Sequence, residues 1–405
     1  NVAIGNQAAQ NITSMGSSVF LGLYAGHNLT VGNRNIAIGP YSLFTSTANS
    51  IENNIAIGNS ALRAGNVSGD RNIGLGTSTL YDLTSGTDNI AVGVTAAYNL
   101  TTGVGNIAIG SGSMALAAVT AHDNIAIGNR AMEDVTSGGG NIAIGSGSAA
   151  NITTNIKNIA IGESAFAGSI NDGDTNIAIG YQAIKTGDVS GDNNTGLGSQ
   201  TLNYLTSGQS NLAIGSGSMG LGTVTGNDNV AVGNFALEDI TSGGNNIAIG
   251  SGSLASATDN TGNIALGFEA LKTSANDGDR NIAIGYQTIK TGDVSGTDNI
   301  AIGTNALDDL TSGTDNIVLG SGAGLQVTDN VDNIAIGHDA FAASVNDGDK
   351  NVAIGSGAMK TGDVSGADNI GIGSLALEDL TTGASNVAIG KSAALNLTTG
   401  TSNVA

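Results

Sequence analysis

Several residue types that decide a protein's chemistry are missing from this chain or scarce in it. Its 405 residues include no cysteine, no tryptophan and a single proline, Pro40. The absence of cysteine excludes disulfides, thiolate metal sites and cysteine nucleophiles, and the lone proline excludes a collagen helix. No run of about 18 apolar residues occurs, so we expect no membrane-spanning helix. The chain opens at Asn1 without a signal segment, and we interpret it as a fragment of a longer protein.

Charge is also scarce, and most of it has one sign. Charged residues make up 11% of the chain, and 33 acidic residues against 12 basic ones give a formal net charge of -21. Such an excess repels phosphate backbones and anionic lipid headgroups. We therefore expect no nucleic-acid partner and no membrane insertion within this segment.

Glycine, by contrast, is abundant, with 64 residues, and much of it belongs to a repeat that runs through the chain. The repeated string is Asn-Ile-Ala-Ile-Gly or a close variant, spaced 17 or 18 residues apart almost everywhere. Ser18 takes the place of one motif asparagine, which completes 23 repeats. The motif asparagines are residues 1, 35, 54, 72, 89, 106, 124, 141, 158, 176, 194, 211, 229, 246, 263, 281, 299, 316, 333, 351, 369, 386 and 403.

A longer period overlies the short one. Asn106, Asn211 and Asn316 open related segments 105 residues apart, which is six repeats. This spacing indicates that a block of six repeats was duplicated. No linker or change of composition interrupts the array, so we predict one continuous domain over residues 1–405.

Each repeat has the same internal pattern, which we number from the motif asparagine as position 0. Position 1 is aliphatic except at Thr195, position 3 is always aliphatic, position 2 is Ala or Gly in most repeats, and position 4 is always Gly. This alternation is typical of a short β-strand that ends in a glycine turn. Further apolar residues follow near position 8, such as Leu62, and near positions 11 or 13, such as Leu83 and Val189. We therefore predict a strand, a glycine turn, a second short extended segment and a loop.

One such unit cannot bury its apolar side chains alone, but stacked units build a continuous core. The pattern thus predicts an all-β fold, a parallel β-solenoid or β-roll of 23 coils with a period of 17 to 18 residues. Stacking would also align the motif asparagines into an amide ladder, as in cross-β structures.

The two faces of the strand raise a question about partners. If isoleucine at positions 1 and 3 fills the interior, the alanine row faces outward, where a solvated strand would carry polar residues. If alanine faces inward, the isoleucine row lies outside. Both arrangements leave an apolar row exposed and predict self-association into a closed homo-oligomer, for which we favour a trimer. The sequence leaves the choice of face open.

These residues resemble a known family. Asn-Val-Ala-Ile-Gly followed by alanine a few positions later is similar to the head repeat of trimeric autotransporter adhesins. The resemblance covers the whole chain and implies left-handed parallel β-rolls, three chains side by side, displayed on bacterial surfaces to bind host matrix or other cells. The repeats here are longer than the adhesin repeat. Units such as 299–315 are closer to repeats of bacteriophage tail fibres and of large secreted fibre proteins of aquatic bacteria. The resemblance therefore leaves two locations open for the protein, a bacterial surface and a virion.

Acidic turns are the candidate metal sites. Asn-Asp-Gly-Asp recurs three times, and each time the next repeat carries Gly-Asp-Val-Ser-Gly. Stacking would bring two carboxylates within about one strand spacing, roughly 4.8 Å, where a bridging cation relieves their repulsion. Clusters of oxygen ligands suit Ca²⁺, although Asx-Gly sequences also form ordinary solvated turns. The candidate pairs are Asp174 with Asp192 at the same position and, shifted by one residue, Asp279 with Asp298 and Asp349 with Asp368.

Catalytic residues are not evident. His27, His122 and His338 lie in different repeats at unlike positions, so we expect no pair to converge. A polysaccharide-cleaving solenoid enzyme would need non-repeated insertions, and the regular spacing leaves no room for them. Phe166 and Phe341 fall on core positions. Three other rings follow turn glycines, and we expect them to be exposed, as aromatic rings that stack on sugars are: Tyr181, Phe268 and Tyr286.

The sequence therefore predicts a non-enzymatic, extracellular structural or attachment fibre that mediates adhesion to a surface or host cell. Two alternatives stay open. One is a bacteriophage tail fibre for host recognition, and the other is a calcium-dependent, self-assembling extracellular filament or matrix protein. The predicted partner in each case is a further copy of the chain.

Overall fold

The computed structural model describes residues 1–45, 50–63, 67–116, 119–168, 172–272, 278–291, 294–342, 348–362 and 364–405. The chain divides into two compact units, Asn1–Ser207 and Gly208–Ala405, and each is described by itself. Both units consist of short parallel strands joined by turns, and none of the described residues forms a helix. The predicted all-β solenoid is therefore confirmed, while one continuous domain over the whole chain stays a prediction.

In the first unit, each coil contributes one three-residue strand to a parallel sheet of twelve strands. Three further strands, β2, β4 and β6, form a second short parallel sheet. The strands of this unit are β1 (Val2–Ile4), β2 (Ser14–Gly16), β3 (Val19–Leu21), β4 (Val31–Asn33), β5 (Ile36–Ile38), β6 (Ser50–Glu52), β7 (Ile55–Ile57), β8 (Ile73–Leu75), β9 (Ile90–Val92), β10 (Ile107–Ile109), β11 (Ile125–Ile127), β12 (Ile142–Ile144), β13 (Ile159–Ile161), β14 (Ile177–Ile179) and β15 (Thr195–Leu197).

The second unit repeats the arrangement with eleven strands in chain order. Like residues lie opposite each other in both units: Ile107 pairs with Ile125 in the first, and Ala248 with Ala265 in the second. The strands of the second unit are β16 (Leu212–Ile214), β17 (Val230–Val232), β18 (Ile247–Ile249), β19 (Ile264–Leu266), β20 (Ile282–Ile284), β21 (Ile300–Ile302), β22 (Ile317–Leu319), β23 (Ile334–Ile336), β24 (Val352–Ile354), β25 (Ile370–Ile372) and β26 (Val387–Ile389).

The structure decides which face of the strand is inside. Alanine at position 2 is fully buried, as at Ala108 and Ala248, whereas the flanking isoleucines stay partly exposed. The alternative with isoleucine in the interior and alanine outside is therefore wrong. The reason is volume: at Gly74, which replaces this alanine, an added Cβ would lie 2.6 Å from Cδ1 of Leu62. The core leucine fills the space behind the strand, so a large side chain cannot enter.

The apolar positions that the sequence predicts for the core are buried. Seven side chains at position 8 have no exposed surface: Leu62, Leu80, Ile184, Leu237, Leu271, Leu307 and Leu377. The same holds for the apolar side chains at positions 11 or 13, which are Leu83, Val189, Leu205, Val294 and Leu310. Phe166 and Phe341 are also buried, as expected for replacements of leucine at position 8. Each coil thus encloses a thin core in which alanine faces leucine.

The segment after the glycine turn differs from the prediction. We expected a second extended segment, but residues 59–62, for example, form turns with left-handed backbone at alternate positions. Ser60 has a φ of 57° and Leu62 a φ of 48°. As a result the N–H of Ser60 donates to the carbonyl of Pro40 in the preceding coil, and the N–H of Leu62 donates to the carbonyl of Thr79 in the following coil. Left-handed backbone costs roughly 1 kcal/mol or more for a side chain such as leucine, and the buried side chain and the bonds between coils offset that cost.

The asparagine ladder is confirmed. In the second unit, Oδ1 of Asn229 accepts the backbone N–H of Asn246 at 3.0 Å and its Nδ2 at 3.0 Å. Nδ2 of Asn246 also donates to the carbonyl of Asn260 at 2.7 Å, which holds the loop of its own coil. Both asparagines are fully buried. Ser18 keeps the ladder with its hydroxyl, which accepts the N–H of Asn35 at 3.1 Å.

Substitution of a ladder asparagine tests this role. Asn246→Ala would leave the buried N–H of Asn263 without its acceptor, at a cost of about 1–3 kcal/mol. Asn246→Ser should cost less, because a hydroxyl can accept that N–H as Ser18 does for Asn35. We expect hydrogen exchange at Asn263 to accelerate in Asn246→Ala and to be partly restored in Asn246→Ser. Equal exchange in the two variants would contradict the ladder.

Coils also approach closely at the invariant glycine, and Gly373 shows the consequence. Its φ is +137°, and an added Cβ would overlap the carbonyl of Gly390 in the next coil. Gly390 has nearly the same φ, +135°, but an added Cβ there meets only Ala393, at 4.0 Å. The two positions share one backbone conformation and differ in the close approach.

We therefore expect Gly373→Ala to destabilise the second unit by about 1–3 kcal/mol more than Gly390→Ala. Both variants carry the strain of positive φ, so the difference isolates the contact between coils. Hydrogen exchange of the amides in residues 369–402 measures it. Indistinguishable protection in the two variants would mean that φ alone accounts for the invariant glycine.

Candidate assembly and binding surfaces

The outer face of the sheet is apolar. Isoleucines at positions 1 and 3 form two parallel columns, which we call the isoleucine face. Exposure is 37% for Ile144 in the first unit and 43% for Ile249 and 38% for Ile302 in the second. Because the columns repeat at every strand, the exposed apolar surface is continuous within each unit, in contrast to the scattered apolar residues of an ordinary protein surface.

The carboxylates of the acidic turns mostly accept hydrogen bonds from backbone N–H groups. Oδ1 of Asp174 accepts the N–H of Ile156 at 2.8 Å, and Oδ1 of Asp192 accepts the N–H of Asp174 at 2.7 Å. These two aspartates lie in adjacent coils, and each carboxylate accepts a backbone N–H of the preceding coil. Oδ1 of Asp279 and Oδ1 of Asp349 do the same for Thr261 and Val331.

The other two pairs are shifted by one residue, as their positions in the repeat predict. The N–H of Asp298 donates to the carbonyl of Asp279 at 3.2 Å, and its carboxylate forms a bidentate ion pair with Arg280, with both contacts at 2.7 Å. Asp368 likewise donates its N–H to the carbonyl of Asp349 at 3.1 Å. Across the described ranges, no group of three or more His, Asp or Glu side chains is placed to hold a metal ion. Calcium at these six aspartates stays a prediction.

The three histidines do not come together, in agreement with the sequence analysis. Nε2 of His27 lies 3.0 Å from Oε1 of Gln10, and Nδ1 of His122 accepts the N–H of Val104 at 3.0 Å. His338 lies beside Asp339, with Nδ1 3.3 Å from Oδ2. The three histidines thus lie in three different coils, and each has its own local partner.

An aromatic column in the first unit was not predicted. It comprises His27, Phe44, Arg63, Tyr81 and Tyr98, which occupy position 9 of five successive coils. His27 and Phe44 stack at 5.3 Å, the Arg63 guanidinium lies 5.9 Å from Phe44 and 5.7 Å from Tyr81, and Tyr81 stacks on Tyr98 at 4.8 Å. Each member stacks on at least one neighbour, so the column strengthens the stacking of the coils.

A cleft of about 220 Å³ opens on the second unit. The residues at its floor are small, because Gly252 and Ala255 occupy positions 6 and 9 of their coil. Phe235 and Glu238 of the preceding coil form one wall, and Phe268, Glu269 and Lys272 of the following coil form the other. Phe235 is 49% exposed and Phe268 44%. Exposure of Phe268 and Tyr286 was predicted, while Phe235 was missed.

Charged groups fix one wall of this cleft. Glu269 binds Lys290, Gln287 and Lys272 at 3.0, 2.9 and 3.0 Å, and these hydrogen bonds, led by that of Lys290, lower the pKa of Glu269 to about 2. On the opposite wall, burial raises the pKa of Glu238, and neighbouring Asp239 adds to the effect. No side chain among the described residues hydrogen-bonds the Glu238 carboxylate. The cleft therefore pairs a fixed carboxylate with one that is open to a ligand.

The first unit contains a related cleft 105 residues earlier in the sequence. It has a volume of about 440 Å³, and Gly147 and Ala150 lie on its floor. Arg130 stands where the second unit has Phe235, and it forms an ion pair with Glu133 at 2.6 Å. Glu163 stands where the second unit has Phe268. The duplication thus preserved the cleft but changed its walls from aromatic to charged.

Comparison with known proteins does not assign a family. No protein-family model matches the chain, and no curated protein matches it significantly. In the part of the chain that the structure describes, no helix is long and apolar enough to cross a membrane. Function is therefore proposed from the geometry of these surfaces.

The cluster around Glu269 predicts a pH dependence. Its pKa is lowered from 4.5 to about 2, so its ion pairs stabilise the fold fully above about pH 4.5 and are lost as the pH falls toward 2. We expect Glu269→Gln to lower the unfolding free energy by about 1–2 kcal/mol near pH 6. The difference from the unsubstituted chain should shrink as the pH falls from 4.5 to 2, and urea unfolding of the full chain measures it.

Asp298→Asn is the matched control. Its ion pair with Arg280 is exposed, with 38% and 58% of the two side chains accessible, and exposed pairs add little to stability. We expect little effect at any pH. A difference for Glu269→Gln that stayed constant from pH 6 to pH 2 would show that its carboxylate is not the titrating group.

Proposed function

We propose that this chain is a non-enzymatic, extracellular structural or attachment fibre whose copies associate side by side through the isoleucine face. The observation that carries the proposal is the continuous pair of partly exposed isoleucine columns in each unit. Leaving such a surface in water is unfavourable by about 25 cal/mol per Å². Covering the isoleucine face is therefore favourable.

A second copy of the chain is the occupant that fits best. The columns repeat at the spacing of parallel strands, about 4.8 Å, and an identical solenoid presents ridges with the same spacing. Ridges of equal period can interlock along their whole length, whereas a surface with another period loses register after a few coils. Three copies around one axis would bury the face in a closed assembly without an open edge.

The resemblance to adhesin heads supports the trimer, left-handed coils and a location on a bacterial surface. Repeats similar to those of tail fibres support a virion as the alternative location. In either place a stack of coils without insertions serves to hold other parts of a protein at a distance, and adhesion to a surface or host cell is the role that we propose.

Light scattering tests the assembly. We expect the full chain to have about three times its monomer mass of 39.6 kDa. The triple variant Ile144→Lys, Ile249→Lys, Ile302→Lys places charges in the buried interface and should yield monomers, because burial of unpaired charge costs several kcal/mol. The proposal is wrong if the unsubstituted chain is a monomer.

Leu221→Lys is the control, because Leu221 is 61% exposed but lies outside the isoleucine face. This variant should keep the mass of the unsubstituted chain. The same measurement with EDTA tests calcium: a mass that falls only with the chelator would favour the calcium-dependent filament, and an unchanged mass would favour the apolar interface.

A further inference from the structure

Two exposed aromatic side chains, Phe235 and Phe268, line the cleft of the second unit. One face of Phe268 is covered by Tyr286 of the following coil, with ring centroids 5.4 Å apart and an interplanar angle of 15°. Its other face is therefore turned toward the preceding coil, which forms the cleft floor. Phe235 rests on Gly217 of the coil before it, where an added Cβ would lie 2.7 Å from the ring. The side of the ring away from Gly217 lines the cleft.

The separation of the walls suits a single ring. Phe235 and Phe268 belong to coils two apart, at the neighbouring positions 6 and 5 of the repeat, and these coils are separated by roughly 9 to 10 Å at the spacing of parallel strands. A saturated six-membered ring in van der Waals contact with both walls, at about 3.5–4.0 Å on each side, fills such a gap. The floor makes room for it because Gly252 and Ala255 replace the larger residues of neighbouring coils.

Polar groups border the same space. Glu238 offers carboxylate oxygens as acceptors, Lys272 offers donors, and Ser251 adds a hydroxyl at the floor. The ammonium of Lys272 is held in place by Glu269 at 3.0 Å. Aromatic faces combined with convergent acceptors and donors match the two sides of a sugar, whose C–H bonds contact rings while its hydroxyls form hydrogen bonds.

We propose that this cleft binds a neutral pyranose unit of a carbohydrate. The sugar ring lies between Phe235 and Phe268, and its hydroxyls bind Glu238 and Lys272. Neutrality follows from charge, since a chain with a net charge of -21 repels polyanions and Glu238 adds a carboxylate at the site. This inference goes beyond the fibre and does not rest on the isoleucine face.

The duplicated cleft supplies the natural comparison. Arg130 and Glu163 occupy the two wall positions in the first unit, so that cleft has no aromatic wall for a sugar. Phe235→Arg copies the first unit's residue into the second, where it can pair with Glu238 as Arg130 does with Glu133. The variant therefore removes the ring while keeping an arrangement that the same fold already accommodates.

Saturation-transfer NMR on the full chain tests the site, with cellopentaose, maltopentaose, laminaripentaose and N-acetylchitopentaose as neutral probes and oligogalacturonate as the acidic one. We expect at least one neutral probe to bind with a Kd of about 1 mM. Phe235→Arg and Phe268→Ala should each weaken it about tenfold, while Phe235→Tyr should retain it. Tyr181→Ala, which removes an exposed ring from the first unit, should have no effect.

Three results would overturn the proposal: no neutral probe binds, Phe235→Arg leaves binding unchanged, or oligogalacturonate binds more tightly than every neutral sugar. Light scattering on the same variants separates this site from the assembly, because substitutions in the cleft should leave the oligomeric mass unchanged. Loss of binding together with a change of mass would point to assembly and would count against a local sugar site.

Discussion

Successive coils lie one strand spacing apart, and most features of the structure follow from that fixed distance. It lets Asn229 reach Asn246 with two hydrogen bonds, and it brings Gly373 so near to Gly390 that a methyl group does not fit. Because each residue lies above its counterpart in the preceding coil, small contributions recur in every repeat and add up along the stack. Stability is therefore distributed through the repeats, with no single large core.

The period alone was sufficient to predict much of the fold. It identified the asparagine ladder and the buried positions of Leu62 and Phe166, because stacked repeats must align like residues. The direction of the strand faces was not predictable, since alternation distinguishes two rows without saying which is inside. That choice depends on the volume filled by Leu62 behind the strand. Left-handed backbone was missed, although Asp88 and Asn245, at the last position of their repeats, belong to the types that tolerate it.

The binding surfaces were harder to predict because they depend on residues of different coils. Phe235, Gly252 and Glu269 occupy the same position of three successive repeats, and only their succession creates a wall, a floor and a second wall. A comparison down the columns of the repeat would have found this cleft and the aromatic column as well. The shift in the second acidic pair, by contrast, follows from position in the repeat: Asp298 lies one position later than Asp279, at the position of Arg280, and it pairs with that arginine.

The amide ladder also gives each unit an electrical direction. Every Oδ1 in it points toward the coil that follows, and every partner N–H toward the coil that precedes, as between Asn246 and Asn263. The aligned amide dipoles therefore add along the stack, as peptide dipoles do along a helix. One end of such a ladder presents acceptors and the other presents donors. A further coil can continue the ladder head to tail, whereas two like ends would place acceptor against acceptor or donor against donor.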